Sequence, residues 1–184
     1  ITHGFAKNFE IGFYTFTSFS SNGKFQYLGN QVRPRVTVPD SWKWKIGASL
    51  SLEFGFFRPD DTTAFNWQGE LRPIIDKTVG NWYFAFNPNI DFVLTGDGKG
   101  AGIAPQFKTV YMINKKVGLG IEYYGALGSF KELLPGNLQE HLLGPMIDLY
   151  IHPMWEINGG FLFGLTENSN QRIIKILLGR RRGK

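Results

Sequence analysis

The basic residues Arg33, Arg35, Lys43, Lys45, Arg72 and Lys108 stand at positions that alternate with apolar neighbours. So do the acidic residues Glu53, Glu70, Asp91, Glu122, Glu140, Asp148 and Glu156. On an extended chain successive side chains point to opposite faces, so such residues gather on one face of a sheet and the apolar ones on the other. Charges crowded on one enclosed face have two chemical uses. They can neutralise one another in a network of ion pairs and hydrogen bonds, because an isolated buried charge is very costly. They can also line a hydrated path and select a small solute, as rings of charge do in pores.

Either use requires elements that hold these residues on one enclosed face. The segment WKWKIGASLSLEFGFF at 42–57 alternates throughout and predicts a single long strand, with Trp42, Trp44, Ile46, Leu50, Leu52, Phe54 and Phe56 on its apolar side. It exceeds the roughly 9 to 11 residues a tilted strand needs to cross a bilayer. The pattern returns over 65–75, 82–95, 117–128 and 154–165, and in weaker form over 9–20, 24–38, 103–113, 140–151 and 172–180. That predicts about ten antiparallel strands, an even number typical of bacterial barrels. The connections alternate as well. Turn-like ones fall at Pro39 and Asp40, Asp76 to Asn81, Asn114 to Lys116, and His152 with Pro153; generally longer, polar ones fall at 20–23, 58–63, 96–102, 129–138 and 167–171. Outer-membrane barrels pair short periplasmic turns with longer extracellular loops in the same rhythm.

Periodicity fits a soluble barrel or sandwich as well as a membrane one. Two features favour lipid on the apolar side. The second face mixes charges with many glycines and alanines, which suits strands curving around a narrow lumen better than a solvent-facing sheet. The tryptophans Trp42, Trp44, Trp67, Trp82 and Trp155 lie near strand ends, where membrane-interface aromatics belong. Against this stand Pro34, Pro73, Pro88, Pro105 and Pro145, which fall inside the expected strands and cannot donate to a ladder. Bulges, register breaks or membrane-edge positions are expected at several of them.

The segments ITHGFAKNFEIGFY, WQGELRPIIDKTVGNWYFAFNP and HLLGPMIDLYIHPMWEINGGFLFGLT, followed by IIKILLG, resemble the uncharacterised Gram-negative outer-membrane β-barrels often labelled transporters. The resemblance spans nearly the whole chain and rests on strand and turn patterns, so it implies fold more than activity. In that family a segment like ITHGFAKNFEIG is a turn between two strands, which implies one or more strands before Ile1 and about twelve in the parent protein. Such barrels commonly finish in an aromatic residue, whereas this chain ends RRRGK.

Other chemistry has little support. The net charge of +5 is concentrated partly in Arg180, Arg181, Arg182 and Lys184, which reads as a solvated tail and not as a nucleic-acid site. Cysteine is absent, so disulfides and thiolate metal sites are excluded. Some small outer-membrane barrels hydrolyse or transfer lipid acyl chains, which takes a nucleophile beside a histidine. Here His3 and His152 fall in turns, and His141 begins a strand with no serine at a suggestive spacing. GDGKGAG at 96–102 lacks the context of a phosphate loop. The loop at 128–140 is unusually apolar at Leu133, Leu134 and Leu138, which suits packing against the rim, a plug or a partner contact. The expectation is therefore an all-β transmembrane up-and-down barrel forming a single domain over 1–184, without catalysis, cofactor or metal. Its partners would be the bacterial outer membrane and a small solute or a protein, and its role a narrow passive channel or a structural scaffold. A lipid-modifying barrel enzyme and a soluble ligand-binding barrel are the alternatives.

Overall fold

Period-two alternation resolves into one continuous antiparallel sheet. The computed structural model describes residues 2–19, 24–58, 64–96 and 99–180, without the side chains of Ser18, Phe19 and Arg180. The basic tail from 181 on, and most of the predicted loops at 20–23 and 58–63, lie outside these residues. The strands are β1 (Thr2–Ala6), β2 (Phe9–Phe19), β3 (Phe25–Thr37), β4 (Gly47–Phe57), β5 (Asn66–Val79), β6 (Trp82–Val93), β7 (Gly100–Asn114), β8 (Val117–Ala126), β9 (Glu140–His152), β10 (Trp155–Gly164) and β11 (Arg172–Arg180). Each pairs with its sequence neighbours in an 11-stranded up-and-down sheet. Among the described residues no ladder joins β1 to β11, so the sheet is not closed into a barrel. β1 is the strand that alternation over 9–20 missed, and it makes ITHGFAKNFEIG a turn flanked by two strands.

Tight turns set the register. β5 runs to Val79, four residues past the predicted end, and Val79 pairs with Trp82 across Gly80 and Asn81. Gly80 takes φ 59°, the left-handed position that a type II′ hairpin reserves for glycine at the first loop residue. The Asp76–Asn81 connection is thus much tighter than its sequence suggested.

The strand predicted from Trp42 is corrected at its start. Pro39, Asp40, Ser41 and Trp42 form a short 3-10 turn, with the Trp42 amide donating to the Pro39 carbonyl at 3.0 Å and the Lys43 amide to the Asp40 carbonyl at 3.0 Å. Lys43 is then left-handed at φ 52°, and β4 begins only at Gly47. Alternation survives in this segment as composition, but the local turn outcompetes extension once Pro39 has fixed its own φ.

The prolines interrupt the ladder without shifting it. Pairing skips from Val32–Phe54 to Arg35–Ser51 around Pro34, and from Leu71–Ile90 to Ile75–Phe86 where Pro73 and Pro88 would face one another. Pro88 in turn pairs with Pro105, so three prolines lie abreast on β5, β6 and β7. The register shifts occur elsewhere, at Gly4/Ala6, Phe16/Thr17, Met112/Asn114 and Trp155/Ile157. A missing donor therefore costs a hydrogen bond here, not a bulge.

Burial is inverted relative to a water-soluble domain. Ser51, Asn89, Glu122 and Asp148 are buried at 1%, 0%, 4% and 6% exposure, while Leu52, Phe54, Ile121 and Ile176 stay 48%, 42%, 46% and 72% exposed. The polar and small residues form most of the inner, concave face, with Val110, Met146 and Leu162 buried among them. Strands approach closely there: a Cβ on Gly144 would collide with the backbone carbonyl of Phe161 on β10. Gly144→Val is accordingly expected to cost at least about 1–3 kcal/mol, the usual penalty of overpacking. The check is the urea midpoint of the refolded chain, which should fall relative to wild type.

Candidate functional site in the concave face

Curvature brings residues of distant strands together. Arg35 on β3 and Glu122 and Tyr124 on β8 line one cavity of about 210 Å³, together with Tyr83, Asn87, Gln106 and Lys108. Two charged assemblies occupy this face.

The first is a closed network on β7 to β11. Lys108 and Glu122 sit opposite one another in the ladder, as do Asp148 and Asn158. The Lys108 ammonium lies 2.8 Å from Asp148 Oδ2 and 3.5 Å from Glu122 Oε1. Lys175 donates to Glu122 Oε2 at 2.6 Å and to the Tyr124 hydroxyl at 2.6 Å. Tyr124 passes a further hydrogen bond to Glu122 at 2.9 Å, and Asn158 donates to Asp148 at 2.8 Å. Two ammonium groups face two carboxylates, so the assembly is neutral and largely satisfied, as a buried ionic group must be.

The second assembly is a row on β4, β5 and β6. Glu53 pairs directly with Glu70, and Glu70 with Asp91, which places three carboxylates side by side. Arg72, two residues from Glu70 on the same face, donates to Glu70 Oε2 at 2.9 Å. Glu53 and Asp91 form no ion pair among the described residues. The register also brings Arg33 opposite Glu53, with its guanidinium 4.6 Å over the Tyr14 ring. Three carboxylates thus lie against Arg72 and Arg33.

The other predicted residues separate. Arg35 pairs with Glu10 on β2 at 3.5 Å. Glu140 opens β9 at the mouth of the concave face, where it lines a cleft of about 380 Å³. Glu156 faces Gly179 on β11. Lys43 and Lys45 do not line the interior; both are exposed in the turn before β4, because the 3-10 turn removes them from the strand whose parity would have turned them inward. The tryptophans occupy the two ends. Trp42 and Trp44 lie 5.9 Å apart in the β3–β4 turn, and Trp82 packs on Tyr111 at 5.1 Å near the same rim, which Trp155 shares at the start of β10. Trp67 stacks on Phe54 at 5.1 Å near the opposite one.

Lys175, Tyr124, Asn158, Asn89 and Glu10 are site residues that charge-by-strand reading passed over. Parity marks all of them as inward, but Lys175 is hidden in the greasy run IIKILL, and neutral side chains carry no sign to attract notice.

His141 is held, not poised. Its Nδ1 meets the Tyr123 hydroxyl at 2.7 Å and its Nε2 the Gln139 side-chain oxygen at 3.0 Å. Ser169 does approach it from 28 residues away, but its hydroxyl accepts from the His141 backbone amide at 2.8 Å and does not contact the ring. The loop 127–139 packs on the rim: Ile103 donates its amide to the Gly128 carbonyl at 2.9 Å, and Leu134 to Leu127 at 2.9 Å. No group of three or more His, Cys, Asp or Glu among the described residues is arranged to hold a metal ion. Compared with known proteins, the chain matches no family model and no curated protein.

Removing one member of the closed network should be costly. Glu122→Gln leaves Lys175 and Lys108 short of a counter-charge, and a loss near the lower end of roughly 3–5 kcal/mol is expected for a broken buried pair. Equilibrium unfolding of the refolded protein in urea measures it. A midpoint unchanged from wild type would show that the network carries no net stability.

Proposed function

We propose that the chain forms a bacterial outer-membrane β-barrel whose narrow lumen lets small solutes pass without a catalytic step. The observation that carries this reading is the inverted burial, with carboxylates and amides covered and leucines, isoleucines and phenylalanines exposed strand after strand. A monomeric soluble surface rarely carries contiguous apolar patches beyond a few hundred Å², so such a face calls for an apolar solvent. The aromatic clusters near opposite ends of the strands and the alternation of tight turns with longer connections support the same reading. The segments that resemble outer-membrane transporter-like barrels add to it.

Closure follows from direction. In an 11-stranded antiparallel sheet β1 and β11 run the same way. A barrel therefore closes most simply through one further strand antiparallel to both, which gives the even number usual in bacterial outer membranes. A barrel of that size lies between the filled eight-stranded kind and open porins, so its path is narrow. The neutral network of Lys108, Glu122, Asp148 and Lys175 favours a second reading, in which the interior is filled and the barrel serves as a scaffold.

Two measurements test these readings. Leu52→Arg and Ile121→Arg should each cost about 2–4 kcal/mol of folding stability in phospholipid vesicles, the penalty of a cation on a lipid-facing strand near the midplane. A solvent-facing position would tolerate arginine within about 0.5 kcal/mol, and that result would sink the membrane assignment. Planar-bilayer recording of the inserted protein separates passage from scaffold: small discrete conductance steps are expected, and a silent inserted barrel leaves the scaffold.

A further inference from the structure

The Glu53–Glu70–Asp91 row is arranged against the stability of the sheet. Like charges directly opposite one another on neighbouring strands repel, and Arg72 binds in bidentate fashion to Glu70, one of the three. An independent feature lies beside it. Asn89, two residues before Asp91 on the same face, has 0% exposure, and neither its amide nitrogen nor its amide oxygen has a hydrogen-bond partner. The ladder places Asn89 opposite Ala104. Ala104 and Asp91 both line the cleft of about 380 Å³ beneath the 127–139 loop, whose other walls include Leu134, Leu138, Ala126, Glu140 and Lys99. The cleft therefore joins an apolar wall to the acidic end of the row, and its lining carries two carboxylates against one ammonium.

We propose that this cleft and the carboxylate row form a binding subsite for a small organic cation, a primary ammonium carrying a short apolar chain. The ammonium donates to Asp91 and Glu140, the two carboxylates in the cleft wall, while the chain lies on Leu134 and Leu138. Three donors on one nitrogen suit neighbouring acceptors, and the apolar wall of Leu134 and Leu138 beside Asp91 and Glu140 suits an organic cation. This assignment names the solute class for the lumen proposed above and rests on that reading.

The test is isothermal titration of the refolded full chain in zwitterionic detergent, with n-butylammonium chloride as probe and sodium butyrate as its anionic counterpart. Saturable butylammonium binding without butyrate binding is expected. Asp91→Asn should weaken it at least tenfold and at the same time raise the urea midpoint, because removing one of three like charges relieves the row; Glu53→Gln should act in the same two directions. Glu167→Gln, in the connection before β11, should change neither. No saturable binding, equal binding of butyrate, or undiminished binding by both row variants overturns the subsite. Conductance in planar bilayers is read separately. A chain that conducts without binding butylammonium keeps the channel and loses the subsite, and one that binds without conducting does the reverse.

Discussion

An apolar face that remains exposed obliges the polar face to satisfy itself. In this sheet alternate side chains turn to the concave side, where Glu122 and Asp148 are buried and such charges cannot be left alone. The consequence is visible in Lys108, Glu122, Asp148 and Lys175, which come from four different strands and meet as two complete sets of opposite charges. Tyr124 and Asn158 fill the remaining hydrogen-bonding positions around Glu122 and Asp148. Half of the sheet's interior is thereby settled by neutralisation.

The other half is not. On β4 to β6 the same alternation places Glu53, Glu70 and Asp91 abreast, and the register offers Arg72 to only one of them. Asn89 is buried beside them with an unused amide. Natural proteins commonly give up stability at positions where a ligand supplies what the fold withholds. The contrast between these two assemblies on the same concave face is the physical basis for placing recognition at the Asp91 end of the carboxylate row and its cleft, and support in the Lys108, Glu122, Asp148 and Lys175 network.

Backbone chemistry shapes the surface on which both assemblies lie. Pro34, Pro73, Pro88, Pro105 and Pro145 share the outward parity; beside Pro34, Pro73, Pro88 and Pro145 the ladder lapses while its register is kept, and at Pro105 the β7–β8 pairing stops. Inside, glycines such as Gly144 let neighbouring backbones draw close on the concave side. Fewer hydrogen bonds where the strands bend and no Cβ where they crowd both favour curvature, and curvature is what brings Arg35 and Glu122 to one cavity.

Strand positions were legible to within a few residues because period-two alternation is a local property, and the boundaries of β6, β8, β10 and β11 follow it closely. The inward residues from Glu53 to Asp148 were legible for the same reason. Alternation misled where a local turn competed with it: Trp42 to Ile46 alternate, yet the turn begun at Pro39 keeps Lys43 and Lys45 outside the strand. It was also silent on β1, which is too short to display a period. By itself, then, the sequence determined which side chains share a face and how the chain reverses between strands. Only the tertiary structure decided which of those charges meet, since cross-strand partners depend on register accumulated over several hairpins, and a shift at any one of them would have given Glu122 or Asp91 different neighbours.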